Sequence, residues 1–147
     1  MTPKQQIEGL MNELVPFAEK MLAEHRGFHP FGGYLDRSGK VVHVGVKPTS
    51  GNATASDRVE MLVGDFRKKV ARGLVMACAI VTDVAFPLED GSTGDAIKLF
   101  LEHREGYCAE VFVRYEIIGD VVEAKNTVAQ QGDPMFFVDS SSPRVTS

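Results

Sequence analysis

Two short turns fix which way three consecutive strands face in the second half of this 147-residue chain. In the run Tyr107 to Ile118 the apolar set is Tyr107, Ala109, Val111, Val113 and Tyr115; in the run before it, Ala96 to His103, the set is Ile97, Leu99 and Leu101. Side chains alternate along a strand, so odd positions must face odd positions across this hairpin. That requires a loop of odd length. Arg104-Glu105-Gly106 supplies it, with glycine last as in a bulged three-residue hairpin. The final run, Val121 to Ala129, turns in Val122, Ala124 and Val128 and needs the opposite parity, and Gly119-Asp120 is a favoured two-residue turn with glycine first. A loop one residue longer or shorter would send a whole apolar set into water.

The rest of the chain builds outward from this meander. Val75 to Phe86 is its first strand, followed by the loop Leu88 to Gly94. Upstream, Thr2 caps and Pro3 opens a helix on which Ile7, Leu10, Met11, Leu14, Phe17, Ala18, Met21 and Leu22 form one stripe. The stripe keeps its phase across Pro16, which predicts one helix kinked near Asn12 to Pro16, with Gly27 as its left-handed cap. Phe31 to Leu35 and Val41 to Val46 make a hairpin around Asp36 to Lys40. A second helix from about Ser56 to Arg72 turns Val59, Leu62, Val63, Phe66 and Val70 inward.

The resulting order is α-β-β-α-β-β-β-β. Each helix has a single apolar stripe, which predicts a two-layer α+β fold with both helices on one face of a mainly antiparallel sheet of about six strands. At the level of fold this order resembles profilin-like and roadblock-like proteins, a likeness that implies architecture and no activity. Residues 1–138 are expected to form one domain, and the polar run 139–147 to be a disordered tail.

Composition narrows the function classes. Charged residues are 24% of the chain, hydrophobic residues 44%, and the net charge is -4. That balance fits a soluble protein and argues against nucleic acid, whose backbone calls for a basic face. Arg67-Lys68-Lys69 with Arg72 is the basic concentration, and it reads as the solvated side of the second helix. No apolar run reaches membrane-spanning length and the first residues lack a signal-peptide core, so no membrane partner and a cytoplasmic setting are expected. Cys78 and Cys108 lie inside strand runs without CxxC spacing and read as reduced packing residues.

The densest chemistry lies in Glu24 to Leu35, where two histidines, three aromatic rings, a proline and three glycines join the first helix to the first strand. His25 and His29 have the spacing of a helical metal pair, but Gly27 between them and Pro30 after them break that geometry, so no metal is expected. Gly32-Gly33 marks a close approach, either of packed chain or of a ligand. His29, His103, Asp83 and Glu102 are the candidates for acid–base work. Parity sets Glu102 and His103 on opposite faces, and puts Asp83 outward or at the far end of its strand, within reach of Lys98 or a loop amide. His43 is read as solvent-side. No GxSxG elbow is present and neither cysteine opens a helix, so nucleophilic catalysis has no support.

The outward face of the meander carries Lys98, Phe100, Glu102, Glu110, Phe112 and Arg114. Phe100 and Phe112 there are explained either by a homodimer that buries them or by cover within the chain. Such cover could come from charged stems, or from Met135-Phe136-Phe137-Val138 folding back.

Phe28-His29-Pro30-Phe31-Gly32 after an amphipathic helix, the phrase Asp95-Ala96-Ile97 through Leu101-Glu102-His103-Arg104-Glu105-Gly106-Tyr107, and Val111-Phe112 with Tyr115 together resemble a group of small bacterial proteins without an assigned reaction. The resemblance spans roughly residues 7 to 116, and where that group tends to have proline this chain has Arg114. It implies one compact domain and no enzyme class. The leading expectation is therefore a binding or self-association module without catalytic machinery or cofactor. The alternative is a small-molecule-binding protein or enzyme with its pocket at the helix–strand junction around His29.

Overall fold

Thr2 and Thr54 start the two helices in the same way. Each hydroxyl accepts the amide three residues on (Gln5 at 3.1 Å, Asp57 at 3.0 Å), and the Gln5 and Asp57 side chains return to the threonine amides. These reciprocal caps satisfy donors that a helix end otherwise leaves orphaned. The computed structural model describes residues 1–137, and its helices are α1 (Pro3–His25) and α2 (Ala55–Ala71). α1 runs through Pro16 as one helix. It ends on Arg26, at φ 62° and ψ 16°, rather than on the expected Gly27. A non-glycine residue in this region costs about 1–2 kcal/mol. Arg26 is held there because its amide closes onto Leu22 O at 2.8 Å and its guanidinium donates to Gly119 O at 3.0 Å.

The strands are β1 (Phe31–Asp36), β2 (Val41–Val44), β3 (Val75–Pro87), β4 (Thr93–His103), β5 (Cys108–Ile118) and β6 (Val121–Gln131). They form one six-stranded antiparallel sheet in the order β2-β1-β3-β4-β5-β6, and with the two helices they make the α+β fold. The three-residue turn sets Leu101 against Ala109, Leu99 against Val111 and Ile97 against Val113, the odd-to-odd register its length demands.

The last hairpin departs from simple parity. Its turn pairs Ile117 with Val122 and Tyr115 with Ala124, but the register then slips, and Val113 pairs with Thr127. Two residues of β6, Lys125 and Asn126, lie opposite Arg114 alone, the signature of a bulge. Beyond it Val128 pairs with Phe112 and stays 36% exposed, whereas the sequence pattern turned it into the core.

The placement of the helices is a second correction. They flank opposite faces of the sheet instead of sharing one. Leu10, Leu14, Ala18 and Leu22 of α1 pack with Phe31, Leu35, Ala79, Leu99, Val111 and Val113. Leu62 and Phe66 of α2 pack with Cys78, Ile80 and Phe100, the intervening positions of β3 and β4. An apolar stripe shows that a helix must be covered, but not from which side of a sheet.

At Gly32-Gly33 both helices press close against the sheet, one from each side. A Cβ on Gly32 would stand 2.5 Å from Ala79 O and 2.9 Å from the Phe66 ring; one on Gly33 would stand 2.8 Å from Leu14. Gly32→Ala should therefore lower urea stability by about 2 kcal/mol, the cost of overpacking against backbone. Gly45→Ala, which meets nothing within 4 Å, should stay near wild type. Equal midpoints for the two variants would remove the close-approach explanation.

Candidate functional site

The four acid–base candidates do not converge. His29 is exposed, just beyond the α1 corner. That corner is filled by Phe28 and Phe31, whose ring centroids are 5.5 Å apart, with Phe17 at 5.1 Å from Phe31. His43 meets the same cluster edge-on, 5.5 Å from Phe17, and remains exposed as expected. The pairs Ala77–His103 and Asp83–Ile97 are six residues apart along β3, about 20 Å.

His103 is fully buried. Its Nδ1 accepts the Glu105 amide at 3.1 Å, so the proton resides on Nε2, which donates to Gln6 Oε1 at 2.6 Å. Both ring nitrogens are thus committed to tying the β4–β5 turn to the start of α1. Burial holds its pKa below the usual histidine value, with the Glu105 charge opposing and Arg104 reinforcing the shift.

Asp83 faces α1 rather than outward, and it pairs not with Lys98 but with Tyr115 and with the backbone amide of Phe28 in the loop after α1. Tyr115 Oη donates to its carboxylate at 2.5 Å across β4, and its other oxygen lies 3.5 Å from where a Gly27 Cβ would stand. Burial raises its pKa, the Tyr115 bond opposes this, Asp95 adds to it, and the Phe28 backbone bond opposes it. Asp83 therefore braces the corner against the end of the sheet.

Glu102 lies on the other face, as parity required, and is only 2% exposed. After β6 the chain turns back across the sheet as a strap, residues 132–137. Gly132 passes so near β5 that a Cβ there would lie 3.0 Å from Cys108 Sγ. The strap then gives three amides to the Glu102 carboxylate: Met135 at 2.7 Å, Phe136 at 3.0 Å and Phe137 at 2.8 Å. Phe136 sits edge-on to both Phe66 and Phe100, at 5.9 and 6.0 Å, and Arg67 Nε donates to Met135 O at 3.4 Å. Residues 135–137 thus fold back as the intramolecular alternative had it; Val138 and the predicted tail 139–147 lie outside the described residues.

This strap takes Phe100 away from any outer face, since Phe136 covers it and it is 8% exposed. Phe112 differs. α2 rests on β1 and β3, and beyond the strap the sheet presents Phe112 tilted against Phe86 at 5.4 Å. Lys98 Nζ lies 5.8 Å over Phe112, and the Arg114 guanidinium 5.9 Å over Phe86. The charges here are paired: Lys98 with Glu110 at 3.2 Å, and Lys125 with Glu123 at 2.6 Å and Glu116 at 3.7 Å. Arg114 donates to Asn126 at 2.6 Å and Gln130 to Glu110 at 2.8 Å. Phe86 and Val128 belong to this patch but did not stand out in the sequence. The apolar end of β3 beyond the reach of α2 marks the first, and the bulge that exposes Val128 leaves no local signal.

Cys78 and Cys108 flank Glu102 across the strands and are free thiols. Burial, then the charges of Glu102, Asp133 and Glu110, push the Cys108 thiol up to about 12, so it is not a nucleophile near neutrality. Among the described residues no three His, Cys, Asp or Glu side chains gather as metal ligands, and no helix is long and apolar enough to cross a membrane. Comparison with family models, curated proteins and solved structures yields no match to this chain.

Two outcomes follow from this geometry. A lowered histidine pKa means that the His103 contribution to stability is present above pH 6.5 and is lost as pH falls through the folded value. Wild type should lose stability from pH 7 toward 5.5 in urea titrations, and His103→Gln should show a shallower dependence; identical slopes would remove the effect. Glu102→Gln replaces one acceptor oxygen with a donor. It should cost about 2 kcal/mol and speed amide exchange at Met135 to Phe137 at least tenfold, as read by NMR; unchanged exchange would mean that the carboxylate does not hold the strap.

Proposed function

We propose that the protein is a binding module that self-associates, a second copy covering the part of the sheet around Phe112, Phe86 and Val128. The observation that carries this reading is the Phe86–Phe112 pair on a stretch of sheet that α2 does not reach. Charge supports the choice of partner. Lys98, Arg114 and Lys125 are balanced by Glu110, Glu116 and Glu123, mostly in pairs already made within the face. A surface of this kind has no net field to steer nucleic acid or a strongly charged protein. A twofold-related copy brings the same balanced surface to it, as isologous contacts do.

Two of the acid–base candidates are fully occupied in the fold. His103 uses both ring nitrogens and Glu102 uses both oxygens, which supports a module without catalytic machinery over an enzyme built on these groups. A pocket around His29 has less support, because Phe17, Phe28 and Phe31 pack the corner beside it. The reading includes a cytoplasmic setting, which two free thiols suit.

Sedimentation velocity tests the proposal. Wild type should sediment as a dimer at micromolar concentration and Phe112→Glu as a monomer, while Met61→Glu, at an exposed site on α2, should not change the state. A wild-type chain that stays monomeric through that range ends the self-association reading.

A further inference from the structure

Between α2, the sheet and the strap lies a cleft of about 550 Å³. That is within the range of small-molecule sites, roughly 300–1,000 Å³. Its floor is Ile80 and Phe100, which are 4% and 8% exposed, and Val59 of α2 and Met135 of the strap form its walls. The polar groups that line it are of two kinds. Lys98, Glu110 and Gln130 are spent on one another, through contacts of 3.2 Å and 2.8 Å to the two Glu110 oxygens. The Thr82 hydroxyl and the Asp133 carboxylate line the same cleft and, among the described residues, have no side-chain hydrogen bond or ion pair.

We propose that this cleft binds a small molecule with an apolar body and a single cationic group, a primary amine being the simplest case. The apolar body replaces water over Ile80 and Phe100, between Val59 and Met135. The ammonium meets Asp133, the one lining charge without a partner among the described residues. Selectivity comes from the same account. The Lys98 charge is already met by Glu110, so an anionic ligand finds no free cation and stands against Asp133. The strap makes the site, since Asp133 and Met135 both belong to it and the Glu102 clasp fixes the latter.

This inference is independent of self-association, although the two surfaces share Lys98 and Glu110. NMR titration with 4-phenylbutylamine tests it, with 4-phenylbutanoate and 4-phenylbutan-1-ol as controls of the same body. The titration is run on wild type and on Phe112→Ser, which thins the proposed contact between copies without adding charge. Saturable shifts centred on Ile80, Thr82, Phe100 and Met135 are expected from the amine, with affinity at least tenfold above the butanoate. Asp133→Asn, at an exposed position, should bring the amine down to the level of the alcohol. Binding in both chains, or in Phe112→Ser alone where mated copies cover the cleft, supports the site. It is overturned if the amine binds neither chain, if it binds no better than the butanoate, or if Asp133→Asn leaves its affinity unchanged.

Discussion

Everything in this structure is arranged around a sheet pressed from both sides at two adjacent residues. Gly32 and Gly33 follow one another in β1, so their missing side chains open opposite faces, and Phe66 of α2 and Leu14 of α1 enter the spaces. α1 lies along a core that extends from β1 to β5. α2 is shorter and rests mainly on β1 and β3, reaching β4 at Phe100. The far part of its side of the sheet is therefore left for something else to cover, and the strap, the cleft and the Phe86–Phe112 patch all occupy that remainder.

The strap shows how a buried charge can organise a surface. An isolated carboxylate out of water is costly, and Glu102 lies in a cross-strand row with Cys78 and Cys108, neither of which carries a compensating cation. Three successive amides make up the difference, each a hydrogen bond to a charged group worth about 1.5–3 kcal/mol. In return the carboxylate fixes the path of residues 135–137 and seats Phe136 between Phe66 and Phe100. A residue chosen from sequence for acid–base chemistry thus turns out to act through positioning.

The parts of the fold that could be read from sequence were those set by local rules. Turn length gave the β4–β5 register, stripe phase carried α1 through Pro16, and the Thr2 hydroxyl marked its start. What escaped depended on distant partners. Arg26 takes the left-handed position because Gly119, 93 residues away, accepts its guanidinium. The bulge opposite Arg114 turns Val128 outward although the sequence around it alternates plausibly. Asp83 reaches Tyr115 across an intervening strand, and His103 reaches Gln6 at the other end of the chain's first helix. For the candidate site the gap is wider. Phe112 was legible as a surface aromatic, but the loss of Phe100 to the strap needs the path of residues 132–137, which no periodicity encodes.

By itself the sequence determined the α+β class, the order of the elements, the two-residue and three-residue turns, and the opposite facing of Glu102 and His103, because each follows from backbone periodicity within a few residues. Only the tertiary structure decided that the helices take opposite faces, that His29, His103, Asp83 and Glu102 do not share one site, and that the strap divides the second face into a covered part and an open one. The reason is physical: an amphipathic stripe or an isolated polar group states a need for a partner, and only the packed chain shows which partner meets it.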